Sequence, residues 1–304
     1  MIIDMHSHIG RYKEVWSTEF AGALLGQFGK FPKWWGDKKP WKAEDFDVDV
    51  DQYVSYMDDV GVDKAMIMGQ SCEPFKARTQ PEIVAEAVKK YPQRFIGFHA
   101  CDPIGYPDDG PAQLERAVKE LGLRGVKVFP GYNNGYPNDA RLFPVYQKAD
   151  ELKILVTVHT GYTVTHSGPN SYAPLMQQYP LYLEEVAATF PNLKIIMAHF
   201  ANPWAEDAIQ LMRKYDNVYA DTAYGAFPMS WKVNALVWAK NFGVINKVLY
   251  GSDYPLHSPA QSIELHRRMP EYTRKHDIEP YLTDEDIEGV LGLNAGKLLG
   301  ITSG

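Results

Sequence analysis

The chain has 304 residues, of which 45% are apolar and 23% charged, and a formal net charge of −7. This ordinary globular composition suits one α/β barrel built as a single domain, and the acidic balance argues against nucleic acid or an anionic membrane as the main partner. Two cysteines, Cys72 and Cys101, form no C-x-x-C pair and no disulfide framework, so they are expected as reduced, partly buried thiols of a cytoplasmic protein. No apolar run approaches the ~20 residues of a membrane span, and the start Met-Ile-Ile-Asp-Met-His reads as a strand rather than a signal peptide.

Short apolar, β-branched runs alternate with amphipathic segments of helical length along almost the whole chain. The pattern predicts strands at residues 2–6, 63–68, 94–100, 125–129, 154–159, 194–199, 217–221 and 247–251. Runs this short and rich in Val and Ile fit strands buried on both faces of a parallel sheet. Helices are predicted between them at 50–59, 80–91, 111–121, 140–152, 175–190, 204–215 and 231–242. Proline-bearing turns such as Tyr91-Pro92-Gln93-Arg94 and Phe190-Pro191-Asn192 stop a helix and set an extended approach to the next strand. Eight such units with right-handed crossovers close into a TIM (β/α)8 barrel. The open doubly wound alternative loses because no Gly-rich phosphate turn follows any strand. Residues 9–49 form a long insertion after the first strand, carrying Trp16, Trp34, Trp35 and Trp41, and residues 259–304 add C-terminal helices. Thr283-Asp284-Glu285-Asp286 gives the last helix a capping start and Gly300 a stop.

In such a barrel, catalytic side chains come from the C-terminal ends of the strands. Here those ends carry His6-Ser7-His8 on the first strand, His159-Thr160-Gly161 on the fifth, His199 on the sixth and Gly251-Ser252-Asp253 on the eighth. His6 and His8 are two apart, so both point to one face of their strand. With His159 and Asp253 they supply N/N/N/O ligation of one divalent metal, zinc by preference, with manganese, iron or cobalt as alternatives. Asp253 is also a candidate proton acceptor, and His199 a candidate to orient a water or protonate a leaving group. A lone H-x-H is weak evidence; four such strand ends in one chain argue together.

The pieces IIDMHSHIG, GVDKAMIMG, YPQRFIGF, LRGVKVFP, ILVTVHTG, FPNLKIIMAHF, NVYADTA, KVLYGSDYP and LTDEDIEGVLGLNAGKLLG cover nearly the whole chain. Together and in this order they resemble the amidohydrolase superfamily, in the branch that includes aminocarboxymuconate-semialdehyde decarboxylase. The resemblance implies a metal held by His6, His8, His159 and Asp253, with His199 as the catalytic histidine and, by analogy, a homodimer. Some superfamily relatives bridge two metals with a carboxylated lysine on the fourth strand, where Lys127 lies. The same lysine is a candidate for binding a substrate carboxylate, or for pairing with an acidic neighbour.

Other candidates sit on the rim. His166, after the fifth strand, and His257, after the eighth, are candidates to touch a small-molecule substrate, with an ordinary loop residue as the alternative. Arg78 is a candidate carboxylate clamp, with a surface salt bridge as the alternative. His99 reads equally as a core histidine, and His266 and His276 as solvated. The tryptophan-rich insertion predicts a lid in which Trp34 and Trp35 wall a planar or apolar substrate; packing on the barrel or a second subunit is the alternative. Two chemistries fit. Hydrolysis of a small lactone, amide or related carbonyl ranks first, on the breadth of the superfamily alone. Non-oxidative decarboxylation of a small aromatic or enoic acid is second, and a non-catalytic barrel-fold binding protein third.

Overall fold

The structure, a computed structural model, describes every residue except Tyr12, Val15, 29–41, 162–173, 224–227 and 302–304. Trp34, Trp35, Trp41 and His166 therefore lie outside the described residues. Eight parallel strands follow one another round one sheet: β1 (Ile3–His8), β2 (Lys64–Met68), β3 (Phe95–Cys101), β4 (Gly125–Val128), β5 (Leu155–Val158), β6 (Ile195–Met197), β7 (Val218–Asp221) and β8 (Val248–Leu249). The seam between β8 and β1 is drawn together by backbone bonds. Met5 N–H donates to Tyr250 O at 2.7 Å, Asp253 N–H to His6 O at 2.8 Å, and His8 N–H to Tyr254 O at 2.6 Å. All eight predicted strands are present, and the architecture is the expected TIM barrel.

Side-chain alternation explains how the barrel fills. Ile3, Met5, Met66, Phe98, Ile196 and Leu249 pack its interior, while Phe95, Cys101, Val126 and Val156 face the layer under the helices. Around the strands run α1 (Thr18–Phe28), α2 (Val50–Val60), α3 (Pro81–Lys90), α4 (Pro111–Lys119), α5 (Phe143–Leu152), α6 (Leu183–Thr189), α7 (Ala205–Lys214) and α8 (Met229–Asn241). Local chemistry sets their ends. In α2, the Asp49 side chain accepts from Gln52 N–H, and Gly61 terminates the helix at φ 75°.

One predicted helix is broken. Residues 175–190 form two 3-10 turns, Leu175–Gln178 and Pro180–Tyr182, before α6 begins. Pro180 pushes Tyr179 to an extended conformation (φ −71°, ψ 126°), as a following proline does. The tail forms α9 (Pro259–Lys275), α10 (Asp284–Glu288) and α11 (Asn294–Leu299), the last two joined by a π turn and ended by Gly300 at φ 67°. Gly292 in that turn lies so close to the chain start that a Cβ would sit 2.0 Å from Met1 O, so the tail plugs the base of the barrel. His266 is buried rather than solvated, because it falls on the inner face of α9 with Ile263 and Met269. Both cysteines are free and fully buried. Among the described residues no helix is long and apolar enough to cross a membrane.

A second apolar cluster gathers Trp16, Phe20, Phe46, Phe75, Phe129 and Tyr132. Each follows a strand's C-terminal end, so this cluster belongs to the rim that carries the polar strand ends. The described part of the insertion thus packs onto the mouth of the barrel.

Candidate metal centre

The seam that closes the barrel also assembles its polar cluster. The register of β1 against β2 shifts between Asp4 and Ser7; His6, within that shift, and His8, beyond it, both reach across to Asp253. His8 Nε2 lies 3.3 Å and His6 Nε2 3.5 Å from the same Asp253 oxygen, Oδ1. The three side chains are buried and offer ligand atoms within 4.8 Å of one another. Asp253 takes a left-handed conformation (φ 64°), which few non-glycine residues adopt without support. Gly251 makes the close approach feasible, since a Cβ there would lie 2.8 Å from His6 Cβ.

Behind this group stands a carboxylate that the sequence analysis did not single out. Asp221, at the end of β7, accepts from His6 Nδ1 at 2.8 Å through Oδ2. Its other oxygen accepts the backbone N–H of His199 at 2.9 Å and of Ala223 at 3.0 Å. A proton held on Nδ1 leaves the Nε2 lone pair of His6 facing Asp253. Asp4, two residues before His6, is a second such support. It accepts from His6 N–H at 3.1 Å and from Ser252 N–H at 2.9 Å and Oγ at 2.5 Å, and burial pushes its carboxyl up to about 7. A carboxylate on the strand end next to a histidine-bearing one was the available signal for Asp221.

His199 begins a run of three left-handed residues, His199, Phe200 and Ala201 (φ 59°, 49° and 49°). The turn swings its ring inward, where its centroid is 4.7 Å from both the His6 and the His159 rings. Its Nδ1 bonds the Ala223 carbonyl, and its Nε2 lies 3.3 Å from His159 Nδ1. His159 is therefore part of the cluster, yet the 4.8 Å grouping of His6, His8 and Asp253 does not include it. A second grouping of that size joins His6, His199 and Asp221.

The electrostatics favour neutral imidazoles. Burial lowers His6, His159 and His199 below the usual histidine range, with the nearby Lys127 charge lowering each further. Burial alone would raise the Asp253 carboxyl, but the His8 hydrogen bond, joined by the nearby His6 and His199 imidazoles, holds it well below its ordinary value. Neutral imidazoles beside an ionised carboxylate are the protonation states that metal ligation needs. The Nε2 atoms of His6 and His159 are buried without a hydrogen-bond partner, whereas buried polar atoms are ordinarily satisfied. The donor set fits one divalent cation.

The remaining candidates divide. Lys127 is fully buried on β4, its Nζ without a hydrogen-bond partner and 5.5 Å from the Phe129 ring centre. Burial lowers it to about 8 despite the attraction of Asp221 and Asp253. His257 is half-buried at the rim, its Nε2 4.0 Å from Asp253 Oδ2, and desolvation lowers it to about 3. Arg78 instead pairs with Asp108 at 3.0 Å and covers the Tyr106 ring, in a short antiparallel pairing of Ala77–Arg78 with Ser71–Cys72. His99 shares the outward parity of Phe95 and Cys101 on β3 and bonds Asp109 at 3.0 Å. Aromatic rings wall the cluster: Trp16 lies 5.8 Å from His8 and Tyr132 4.7 Å from His159.

A family model described as "Amidohydrolase" matches residues 3–301. The chain is 25% identical over 245 residues to the 2-amino-3-carboxymuconate-6-semialdehyde decarboxylase of Dictyostelium discoideum, covering 72% of this chain and 64% of that one. It thus spans less than two thirds of that relative's length. Identity to decarboxylase orsB of Emericella nidulans is 24% over 270 residues, covering 76% of this chain and 77% of that one. A solved 5-carboxyvanillate decarboxylase of Novosphingobium aromaticivorans, complexed with manganese, matches with a TM-score of 0.67 at 16% identity, covering 99% of this chain and 96% of that one. That likeness shows a shared fold.

Proposed function

The chain belongs to the amidohydrolase family, and from that premise we propose that it is a metal-dependent, non-oxidative decarboxylase of a small aromatic or enoic carboxylic acid. The relatives named above are decarboxylases, which reverses the order drawn from superfamily breadth; hydrolysis keeps support only at the level of the superfamily. The observation that carries the reading is one buried constellation. Imidazole lone pairs and the Asp253 carboxylate converge beside a lysine amine with no partner, between aromatic walls.

In this reading His6, His8, His159 and Asp253 hold one divalent metal, which supplies Lewis-acid polarisation of a substrate oxygen. Lys127 is the counter-charge for the substrate's carboxylate or for an acidic oxygen beside it, a pairing that a dry site strengthens. Trp16, beside His8, and Tyr132, beside His159, would border the apolar body of the acid. The balance is simple: the bond to the carboxylate carbon breaks, carbon dioxide leaves, and the carbon left behind takes one proton. The site holds Asp253 ionised and His199 neutral, so in this reading the proton comes from solvent and is relayed by these two groups, while the Ala223 carbonyl and the Asp221 carboxylate fix the His199 ring and backbone for the task.

The test is metal analysis of the purified protein, then a screen of aromatic and enoic acids alongside small lactones, read by product mass and carbon dioxide release. Carbon dioxide from at least one acid is expected. Ring opening of lactones with no decarboxylation of any acid would return hydrolysis to first place.

A further inference from the structure

Gln178 closes the 3-10 turn Leu175–Gln178, on the rim beyond β5. It is fully buried, yet neither Oε1 nor Nε2 of its amide has a hydrogen-bond partner. Its position, by contrast, is tightly fixed. The Gln178 carbonyl accepts the Gly161 N–H at 2.9 Å, two residues past His159. Gly161 in turn lies against the turn that carries His199: a Cβ there would come within 2.6 Å of Asn202 O. The amide itself lies over Gly131, where a Cβ would meet Nε2 at 1.3 Å. The next residue, Tyr132, packs its ring 4.7 Å from the His159 ring. Loops following β4, β5 and β6 therefore converge on the rim to hold one amide against Gly131, whose neighbour Tyr132 contacts His159, while leaving the amide's polar ends unsatisfied.

Burying an amide without its hydrogen bonds is unfavourable, and an apolar side chain of the same size would avoid the penalty. Packing alone gives no reason for glutamine here, nor for a glycine at 131 that leaves room for it. A ligand does. A carboxylate would satisfy Nε2 only and set its negative charge against Oε1. A hydroxyl both accepts and donates, so it satisfies the two ends of a primary amide together.

We infer that Gln178 is a specificity-determining residue whose amide reads a hydroxyl group carried by the substrate acid, leaving the carboxylate to Lys127 and the metal centre. The inference rests on the carboxylic-acid reading above. Its test uses binding rather than turnover: the metal-loaded protein and its Gln178→Met variant are titrated calorimetrically with benzoate and each of the three monohydroxybenzoates, and both proteins are melted without ligand. The native protein is expected to bind one hydroxylated isomer about tenfold or more tighter than benzoate, the scale set by pairing a buried amide otherwise left unsatisfied. In the variant that preference disappears, benzoate affinity stays within about twofold, and the ligand-free melting temperature is unchanged or higher, because an unsatisfied buried amide has been removed. A preference that survives in the variant overturns the inference. So does a clear fall in the melting temperature, which would make the amide a structural part of the rim. Native protein that binds none of the four acids overturns the inference together with the aromatic-acid reading, whereas binding with an unaltered preference overturns the inference alone.

Discussion

Replacing Asp221 by asparagine should loosen the metal without touching any proposed ligand. The native carboxylate serves three donors: His6 Nδ1 at 2.8 Å on one oxygen, and the backbone N–H groups of His199 and Ala223 at 2.9 and 3.0 Å on the other. Asparagine fills the same space but offers one acceptor oxygen, and the two backbone donors claim it. The amide nitrogen then faces His6 Nδ1, which must turn from donor to acceptor. The ring proton moves to Nε2 and covers the lone pair directed at Asp253. Loss of a carboxylate behind a ligating histidine typically costs 10–100-fold in metal affinity, or about 1.4–2.8 kcal/mol at roughly 1.4 kcal/mol per decade. The backbone bonds persist, so the melting temperature of the metal-free protein should shift by only a few degrees. Competition with a chelator gives the metal Kd, and thermal unfolding followed by circular dichroism gives the stability. A Kd within twofold of native in a well-folded variant refutes the tautomer argument, and a collapse of metal-free stability would recast Asp221 as a structural strut.

Three further expectations follow from the same geometry. His159→Ala and Asp253→Ala should lose both bound metal and activity, while His199→Ala should lose activity and keep most of its metal. Metal stoichiometry decides this, and metal loss in the last variant would point to the alternative grouping of His6, His199 and Asp221. Lys127→Met should raise KM for the acid by about 30-fold or more, since stripping one partner from a buried charge pair costs about 2 kcal/mol or more; an unchanged KM removes Lys127 from substrate binding. Burial lowers His266 to about 4 from an ordinary 6.5, so its contribution to stability is fully present above pH 6.5 and is lost as pH falls, completely so below about 4. The loss is about 3 kcal/mol for one group, and denaturant melts of native and His266→Phe protein across that window should diverge accordingly; parallel curves would contradict the burial effect.

Periodicity made the barrel legible, because eight short β-branched runs separated by amphipathic helices leave few topologies. The fold then supplied what the sequence lacked, a rule for which strand ends converge, and so made His6, His8, His159, His199 and Asp253 readable as one group. Asp221 was not readable in the same way. Its meaning is its 2.8 Å bond to a residue 215 positions away, and an acidic residue at a strand end has many other uses. Asp4 was hidden for a different reason: it precedes the histidines on a strand whose register shifts between Asp4 and Ser7, so simple alternation misassigns its neighbours. Arg78 shows the limit of placing a residue by its loop. It does follow β2, but the local pairing of Ser71 with Arg78 brings it to Asp108. For His99 the signal was present, since strand parity with Phe95 and Cys101 already directs it away from the barrel interior.

The rim also shows why a cluster of this kind resists explanation as packing. Three successive left-handed residues at His199–Ala201 and another at Asp253 each cost on the order of 1–3 kcal/mol. Glycines at 161 and 251 forgo side chains whose Cβ would lie only 2.6 Å from Asn202 O and 2.8 Å from His6 Cβ. Such departures persist only when the surroundings over-determine them, and here those surroundings are Asp221, Asp4 and the Ala223 carbonyl. None of the strain improves the barrel's own core, which is filled by Ile3, Met5, Phe98 and Ile196 beneath it. Its common effect is directional: it turns the His199 ring and the Asp253 carboxylate toward the His6 and His159 nitrogens that have no partner. A bound cation reconciles these features in a way that neither stability nor surface chemistry does.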